Sequence, residues 1–171
     1  MLPLVLASSS PYRRELLARL QRPFSCSTPA IDETRHPDED AATLVQRLAR
    51  EKAQALQNSH PRHLIIGSDQ VAVLDGQILG KPHTFERARD QLLAASGKSV
   101  IFLTGLALLN SENHHCQVDC ISFTVHFRPL SEAQIPATCT QSNRTTALEA
   151  SKPKASASAY SAAHKAPTPA A

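Results

Sequence analysis

An apolar run, a short polar turn and an amphipathic segment follow one another at the start of the chain. Residues 2–7 are apolar, residues 8–10 are three serines, and residues 11–20 mix apolar and charged side chains. Ser10 is a favourable N-cap, and Pro11 suits the first helical position because it has no backbone N–H to leave unpaired there. This order predicts a strand, a turn and a helix.

The start of this predicted helix is also suited to binding phosphate. Unpaired backbone N–H groups and the helix dipole attract anions at a helix N-terminus, and forked guanidinium groups add strong donors. Ser9, Arg13 and Arg14 all lie in the turn or in the first helical turn. For this segment alone, a capped helix with two solvated arginines is an equally good explanation.

Helical and strand patterns alternate along the middle of the chain and are followed by a meander. The predicted elements are an extended segment over 24–27, a helix over 41–57, a strand over 64–67 that ends at residues 68–70, a hairpin over 71–79, a helix over 84–95, and long strands over 100–109 and 116–127. Residues 31–40 and 80–82 are predicted loops. The alternation predicts an α/β fold with a mixed sheet.

The composition argues against several classes of protein. The net charge of +3 is small and the basic residues are scattered, so no nucleic-acid partner is expected. No apolar run reaches the length of a membrane span, and no signal peptide is recognisable. Four cysteines, unevenly spaced, fit a reduced cytosolic protein better than a disulfide scaffold. We therefore expect a cytoplasmic protein without a membrane partner.

Two histidines and two cysteines near the C-terminal end of the meander raise the question of a zinc site. Cys116 and Cys120 follow His114 and His115, but the segment reads as a strand. Residues four apart on a strand are separated by about 13 Å, which exceeds the span of one zinc ion. The spacing therefore argues against zinc.

Short motifs distributed between residues 2 and 135 carry a resemblance to a known family. In order they are L-A-S-S-S-P-Y-R-R-E-L-L, I-D-E-T, R-L-A-R-E-K-A, I-I-G-S-D-Q-V, G-K-P and T-G-L-A-L. Their order and spacing resemble the Maf-like nucleotide pyrophosphatases, and Asp-Gln after Gly-Ser resembles the subgroup that hydrolyses 7-methyl-GTP. The resemblance implies the Maf/inosine-triphosphatase-like fold, in which helices flank an elongated mixed sheet around a central cleft, and often a homodimer.

The resemblance also implies a reaction and a set of site residues. Water would attack the α-phosphorus of a nucleoside triphosphate with the help of Mg²⁺ or Mn²⁺, and pyrophosphate would leave. Asp69, at the predicted end of a strand, would be catalytic and would bind metal together with Glu33. The phosphate-binding candidates are Ser9, Arg13, Arg14, Lys52 and Lys81. By resemblance, Tyr12 and Gln70 would select the base.

Each charged candidate also has a purely structural explanation. Asp69 could cap a strand end, and Lys52 could extend its ammonium group from an apolar helix face into solvent. Lys81 could be an exposed loop lysine, and Glu33 lies in an acidic loop where carboxylates are common. The joint pattern, and no single residue, favours the functional interpretation.

The chain changes character after Ile135. Residues 131–134 form a capping box, but Pro136 would block the helix that such a box begins. The residues beyond are mostly Ala, Ser, Thr, Pro and Lys, which cannot bury enough apolar surface to order themselves. We therefore predict an incomplete Maf-like domain over 1–135 and a disordered tail over 136–171.

Codon degeneracy suggests an origin for this tail. Back-translated and read one base earlier, residues 144–158 can encode P-Y-H-C-A-G-S-F-K-A-E-G-L-G-I, which contains a string similar to the C-terminal motif of the same subgroup. We hypothesise that the tail is a frame-shifted form of an ordinary C-terminal third. Loss of that third predicts a poorly folded chain with little activity, and a non-catalytic nucleotide-binding remnant is the alternative to an enzyme.

Overall fold

Six strands and three helices make up the described part of the chain, which is residues 1–82 and 84–129 of a computed structural model. The helices are α1 (Pro11–Ala18), α2 (Ala41–Ala55) and α3 (Phe85–Ala95). The strands are β1 (Leu4–Ala7), β2 (Phe24–Ser27), β3 (Leu64–Leu74), β4 (Gln77–Leu79), β5 (Ser99–Asn110) and β6 (His115–His126). The predicted tail over 136–171 and the capping box before it lie outside the described residues.

The strands form one mixed sheet. Their order is β2-β1-β3-β5-β6, and β4 pairs with β3 beside this path. Strands β2, β1 and β3 run parallel, whereas β4, β5 and β6 are antiparallel to the strands they pair with. The predicted α/β fold with a mixed sheet and flanking helices is confirmed.

One predicted boundary is wrong, because β3 does not stop at residues 68–70. It runs without interruption from Leu64 to Leu74. The neighbouring β5 pairs with it from Leu64 to Val73, so the backbone groups of the polar Ser-Asp-Gln stretch enter the same ladder. In this case pairing with β5 outweighs the turn preference of these side chains.

Helix α2 covers one face of the sheet and contacts β3, β5 and β6. Leu44, Val45, Leu48, Ala49 and Ala53 are buried on it, as the predicted apolar stripe requires. Beneath the helix lies a core cluster of fully or nearly fully buried residues: Val5, Ala7, Ala49, Ala53, Leu56, Ile65, Ala107 and Leu109. This packing fixes the position of every side chain that α2 presents to β3.

Two glycines allow α2 to lie unusually close to the sheet. A Cβ atom built on Gly67 of β3 would stand 2.0 Å from the carbonyl oxygen of Ala49, and one built on Gly105 of β5 would stand 2.0 Å from that of Val45. Real Cβ atoms do not approach backbone oxygens so closely, so any larger residue must push the helix away.

The chain divides into two compact units. The first comprises Met1–Gly80 and Lys98–Phe127 and contains the whole sheet, α1 and α2. The second includes Lys81–Gly97, and therefore α3, whose N-cap Thr84 accepts a hydrogen bond from the backbone N–H of Arg87 as its sequence predicts. No helix in the described ranges is long and apolar enough to cross a membrane.

Candidate active site

The serine turn after β1 folds as its sequence predicts. β1 ends at Ala7, and α1 begins at Pro11 with Ser10 as its N-cap. The Ser10 hydroxyl accepts a hydrogen bond from the backbone N–H of Arg13 at 3.4 Å, while the backbone N–H of Ser10 donates to the Ser8 hydroxyl at 3.1 Å. Two of the three serine hydroxyls therefore shape the turn, and Ser9 is exposed at its tip.

A cavity of about 890 Å³ opens beside this turn. Its lining includes Ser8, Ser9, Ser10, Arg14, Arg22 and Cys26. Arg13 is half-buried and is not among the described lining residues, whereas the exposed Arg14 is. The two adjacent arginines thus point to different surroundings, and Arg14 is the one on the cavity wall.

Lys52 is held between two carboxylates. Its Nζ atom lies 2.6 Å from Oδ1 of Asp69 and 2.8 Å from Oε1 of Glu33. The side chains of Lys52 and Asp69 are 7% and 10% exposed, and that of Glu33 is 43% exposed. A buried ammonium group requires such compensation, because an unpaired charge in this position would be very costly. The structure therefore brings together three of the predicted site residues.

Asp69 does not end a strand, which corrects the sequence-based expectation. It lies within β3 and faces α2, as does Gly67 two residues earlier. The shorter neighbour β1 ends at Ala7, which pairs with Gly67. Asp69 therefore stands just beyond the end of β1, on the side where the chain enters the serine turn.

Gln70 and Tyr12 were predicted to select the base. Successive side chains of a strand face opposite sides, so Gln70 lies on the face of the sheet away from Asp69. Its Nε2 donates a hydrogen bond to Oγ1 of Thr104 at 2.6 Å, across the paired strands β3 and β5. Tyr12 is 46% exposed on the first turn of α1. Their role in base selection stays a prediction.

Lys81 belongs to the second unit and is exposed. The predicted central cleft would include this lysine. Its contribution to phosphate binding, and the cleft itself, therefore stay predictions.

An ion-pair cluster that the sequence analysis did not single out ties the acidic loop to α2. Arg47 donates from Nε and Nη2 to the two carboxylate oxygens of Glu39, at 2.7 and 2.9 Å, and from Nη1 to Glu51 at 3.1 Å. The hydrogen bond from Arg47 lowers the pKa of Glu39 to about 2, and the pKa of Arg47 is raised by the same contact. The spacing of Arg47 and Glu51, four residues apart on a helix, was the only local signal.

Glu33 and Asp69 are the residues expected to bind a divalent cation. Glu33 and Asp69 supply hard oxygen donors that converge on one point, the position of the Lys52 ammonium group. No group of three or more potential metal ligands occurs among residues 1–82 and 84–129. Two carboxylates are a usual protein contribution for Mg²⁺, which takes its other ligands from phosphates and water. The Lys52 ammonium group fills the point on which these two oxygens converge, so a divalent cation would have to bind other oxygens of Glu33 and Asp69, and the metal stays a prediction.

Comparison with known proteins gives the family. The family model described as "Maf-like protein" matches residues 3–166. The chain belongs to the Maf-like family. The match confirms the resemblance carried by the short motifs, and it extends past residue 135, the predicted end of the Maf-like domain.

Several Maf-like relatives carry the name "7-methyl-GTP pyrophosphatase". The relative from Pseudomonas fluorescens is 70% identical over 135 residues, which are 79% of this chain and 70% of the relative. The relative from Pseudomonas syringae pv. tomato is 71% identical over 132 residues, covering 77% and 69% of the two chains. The relative from Pseudomonas aeruginosa is 64% identical over 132 residues with the same coverage. Each match therefore leaves a substantial part of the relative's sequence unaligned with this chain.

Proposed function

We propose that this Maf-like protein hydrolyses 7-methyl-GTP to 7-methyl-GMP and pyrophosphate. The observation that carries the proposal is the cluster of Lys52 with Asp69 and Glu33, just beyond the end of β1 and on the side of the serine turn. The substrate comes from the name shared by relatives that are 64–71% identical to this chain.

Asp69 is the residue that we assign to activating water. Its Oδ1 is engaged by Lys52, so we assign the proton-accepting role to Oδ2. A water oxygen forms a bond to the α-phosphorus, the bond from that phosphorus to the bridging oxygen breaks, and pyrophosphate leaves. The water proton passes to Asp69. Lys52 keeps the carboxylate oriented during this step because both groups are buried.

The charges of the triphosphate require several cations. We assign phosphate binding to Ser9, Arg13 and Arg14 at the start of α1, with Lys52 and Lys81 as further donors. Mg²⁺ or Mn²⁺ would be held by Glu33 and Asp69 and would neutralise charge on the phosphate oxygens. Tyr12 and Gln70 would contact the base, where an aromatic ring can stack on a cationic methylated purine.

We also propose that the protein acts in the cytoplasm on free nucleotides, as a homodimer and without a nucleic-acid partner. Cys26, Cys116 and Cys120 are free thiols, which fits a reducing compartment. The small, scattered positive charge fits a small anionic substrate better than a nucleic acid.

A nucleotide-binding protein without turnover is the second candidate. The observation behind it is that the matches cover 70% and 69% of the length of two relatives. The serine turn, to which we assign phosphate binding, and the Lys52 cluster would still bind a nucleotide in a chain that does not hydrolyse it.

The test compares pyrophosphate release from 7-methyl-GTP, in Mg²⁺ or Mn²⁺, by the wild-type chain and by Asp69→Asn. We expect wild-type turnover, and a loss of about a hundredfold or more in kcat for the variant, since a general base contributes roughly 10²–10⁴-fold. GTP serves as the matched substrate for base selection.

The outcomes separate the two candidates. Saturable binding of 7-methyl-GTP by the wild type without pyrophosphate release would support the binding protein and exclude the enzyme. Equal turnover by wild type and Asp69→Asn would remove Asp69 from the mechanism.

A further inference from the structure

Glu33 stands on a segment that is neither helix nor strand. The chain between β2 and α2 is irregular throughout, and Glu33 itself is 43% exposed in its side chain. A carboxylate on such a segment contacts Lys52 at 2.8 Å only if its backbone is held in place.

Glu33 occupies the middle of a short side-chain-stabilised turn. Oδ1 of Asp32 accepts hydrogen bonds from the backbone N–H of Thr34 at 2.9 Å and from its hydroxyl at 2.6 Å. This local turn fixes the direction in which Glu33 projects, but it does not attach the turn to the rest of the molecule.

Arg47 provides the attachment. Its Nη2 donates to the carbonyl oxygen of Thr34 at 3.0 Å, one residue after Glu33. The remaining donors of the same guanidinium group bind Glu39 at the far end of the segment and Glu51 on α2. Glu39 is 7% exposed, and its carboxylate also accepts a hydrogen bond from the backbone N–H of His36. One arginine on α2 thus binds the segment in its middle, at Thr34, and near its C-terminal end, at Glu39.

We propose that Arg47 is a positioning residue that holds Glu33 against Lys52 and Asp69. The expected effect on kcat rests on the proposed function. The contacts by which Arg47 holds the segment do not depend on that function. Arg47 and Lys52 share α2, so the tether and the ammonium group are placed by one rigid element. Lysine could not replace arginine here, because its single nitrogen cannot reproduce the forked contacts to three acceptors.

A double-mutant cycle tests the proposal in the full chain. Arg47→Met is expected to lower kcat by roughly ten- to hundredfold, since small misplacements of a catalytic group cost this much. In the Glu33→Gln background, Arg47→Met should change kcat by less than about twofold, because residues that act through one another are not additive. Arg47→Lys should lose most of the activity despite its retained charge.

The matched control is Arg50→Met, an exposed arginine on the same helix. It should leave kcat and the urea midpoint unchanged. If Arg47→Met lowers kcat as strongly in the Glu33→Gln background as in the wild type, Arg47 does not act through Glu33 and the proposal is overturned.

Amide hydrogen exchange supplies a readout that needs no activity. Arg47→Met should accelerate exchange at residues 33–36 by about tenfold or more and leave the amides of β3 protected. This arm also decides the proposal if the wild type does not hydrolyse 7-methyl-GTP, an outcome that would remove only the proposed function. Unchanged exchange at 33–36 in a folded Arg47→Met variant would contradict the tether.

Discussion

The role of Lys52 depends on the side chains that surround it in the folded chain. Its place beside the apolar stripe of α2 suggested either an anchor for phosphate or a lysine that reaches out to solvent. In the folded chain it does not reach solvent, because Asp69 and Glu33 neutralise it within a largely buried cluster. A buried lysine with two carboxylates orients both acids at once, which a solvated lysine could not do.

Glu39 makes the stability of this loop dependent on pH. Its pKa is lowered from 4.5 to about 2 by the hydrogen bond from Arg47, so the ionised form is favoured by folding. The stabilisation is complete above pH 4.5 and is lost as the pH falls from about 4.5 to about 2. The free energy of unfolding of the wild type should fall over this range by more than that of Glu39→Gln.

Urea titrations of both proteins at a series of pH values measure this difference. Other carboxylates titrate in the same range in both proteins, so the comparison isolates Glu39. Parallel pH profiles for wild type and Glu39→Gln would show that the ion pair with Arg47 does not stabilise the fold.

At the scale of elements, α2 organises the site because it lies so close to β3 and β5. Gly67 and Gly105 leave no side chain between the sheet and the helix backbone. The closeness lets Lys52, in the last turn of α2, reach Asp69 on β3 with its ammonium group. The two glycines thus set the distance between the Asp69 carboxylate and the helix that carries Lys52.

Gly105→Ala should therefore lower the free energy of unfolding by about 1–3 kcal/mol, the usual cost of overpacking a core, or more if α2 cannot move. Gly80→Ala is the matched control, because a Cβ there meets no atom within 4 Å. Urea unfolding of the two variants measures the effect. Equal stability of both would mean that α2 can shift without cost.

The sequence predicted the bounds of several helices and strands well, but it predicted the contacts between distant parts of the chain poorly. Helix α2 and the strands β2 and β4 were predicted closely, because apolar periodicity and the Asp75-Gly76 turn are local signals. The continuity of β3 through Asp69 could not be predicted, since it depends on pairing with β5 more than thirty residues later. The Arg47 tether was missed for the same reason, because Arg47 reaches a loop with no periodic pattern.

At the scale of the whole molecule, the two faces of the sheet differ. Helix α2 packs against one face, and the other face carries exposed apolar side chains. Opposite α2, the paired strands β5 and β6 carry large apolar side chains that are 37–55% exposed: Leu106, Leu108, Ile121 and Phe123. Such a patch favours self-association when it is contiguous.

Replacing Ile121 and Phe123 by threonine should reduce self-association without loss of stability. Both side chains are more than half exposed, so the free energy of unfolding should change by less than about 1 kcal/mol. Light scattering at fixed concentration measures the first effect and urea unfolding the second. Thr124→Ser, on the other face of β6, is the control. A loss of several kcal/mol in the double variant would show that this face is buried in solution.

The pairing of β3 with β5 also determines which chemistry each side of the sheet can perform. Asp69 pairs with Gly105 and Gln70 pairs with Thr104, so the acid and the amide occupy opposite sides by virtue of their order alone. A single residue inserted or deleted between Leu64 and Ser68 would exchange the two. Asp69 would then lose Lys52, and Gln70 would be buried under α2. The number of residues in β3 between Leu64 and Asp69 is therefore as strict a requirement of this site as the identity of Asp69 itself.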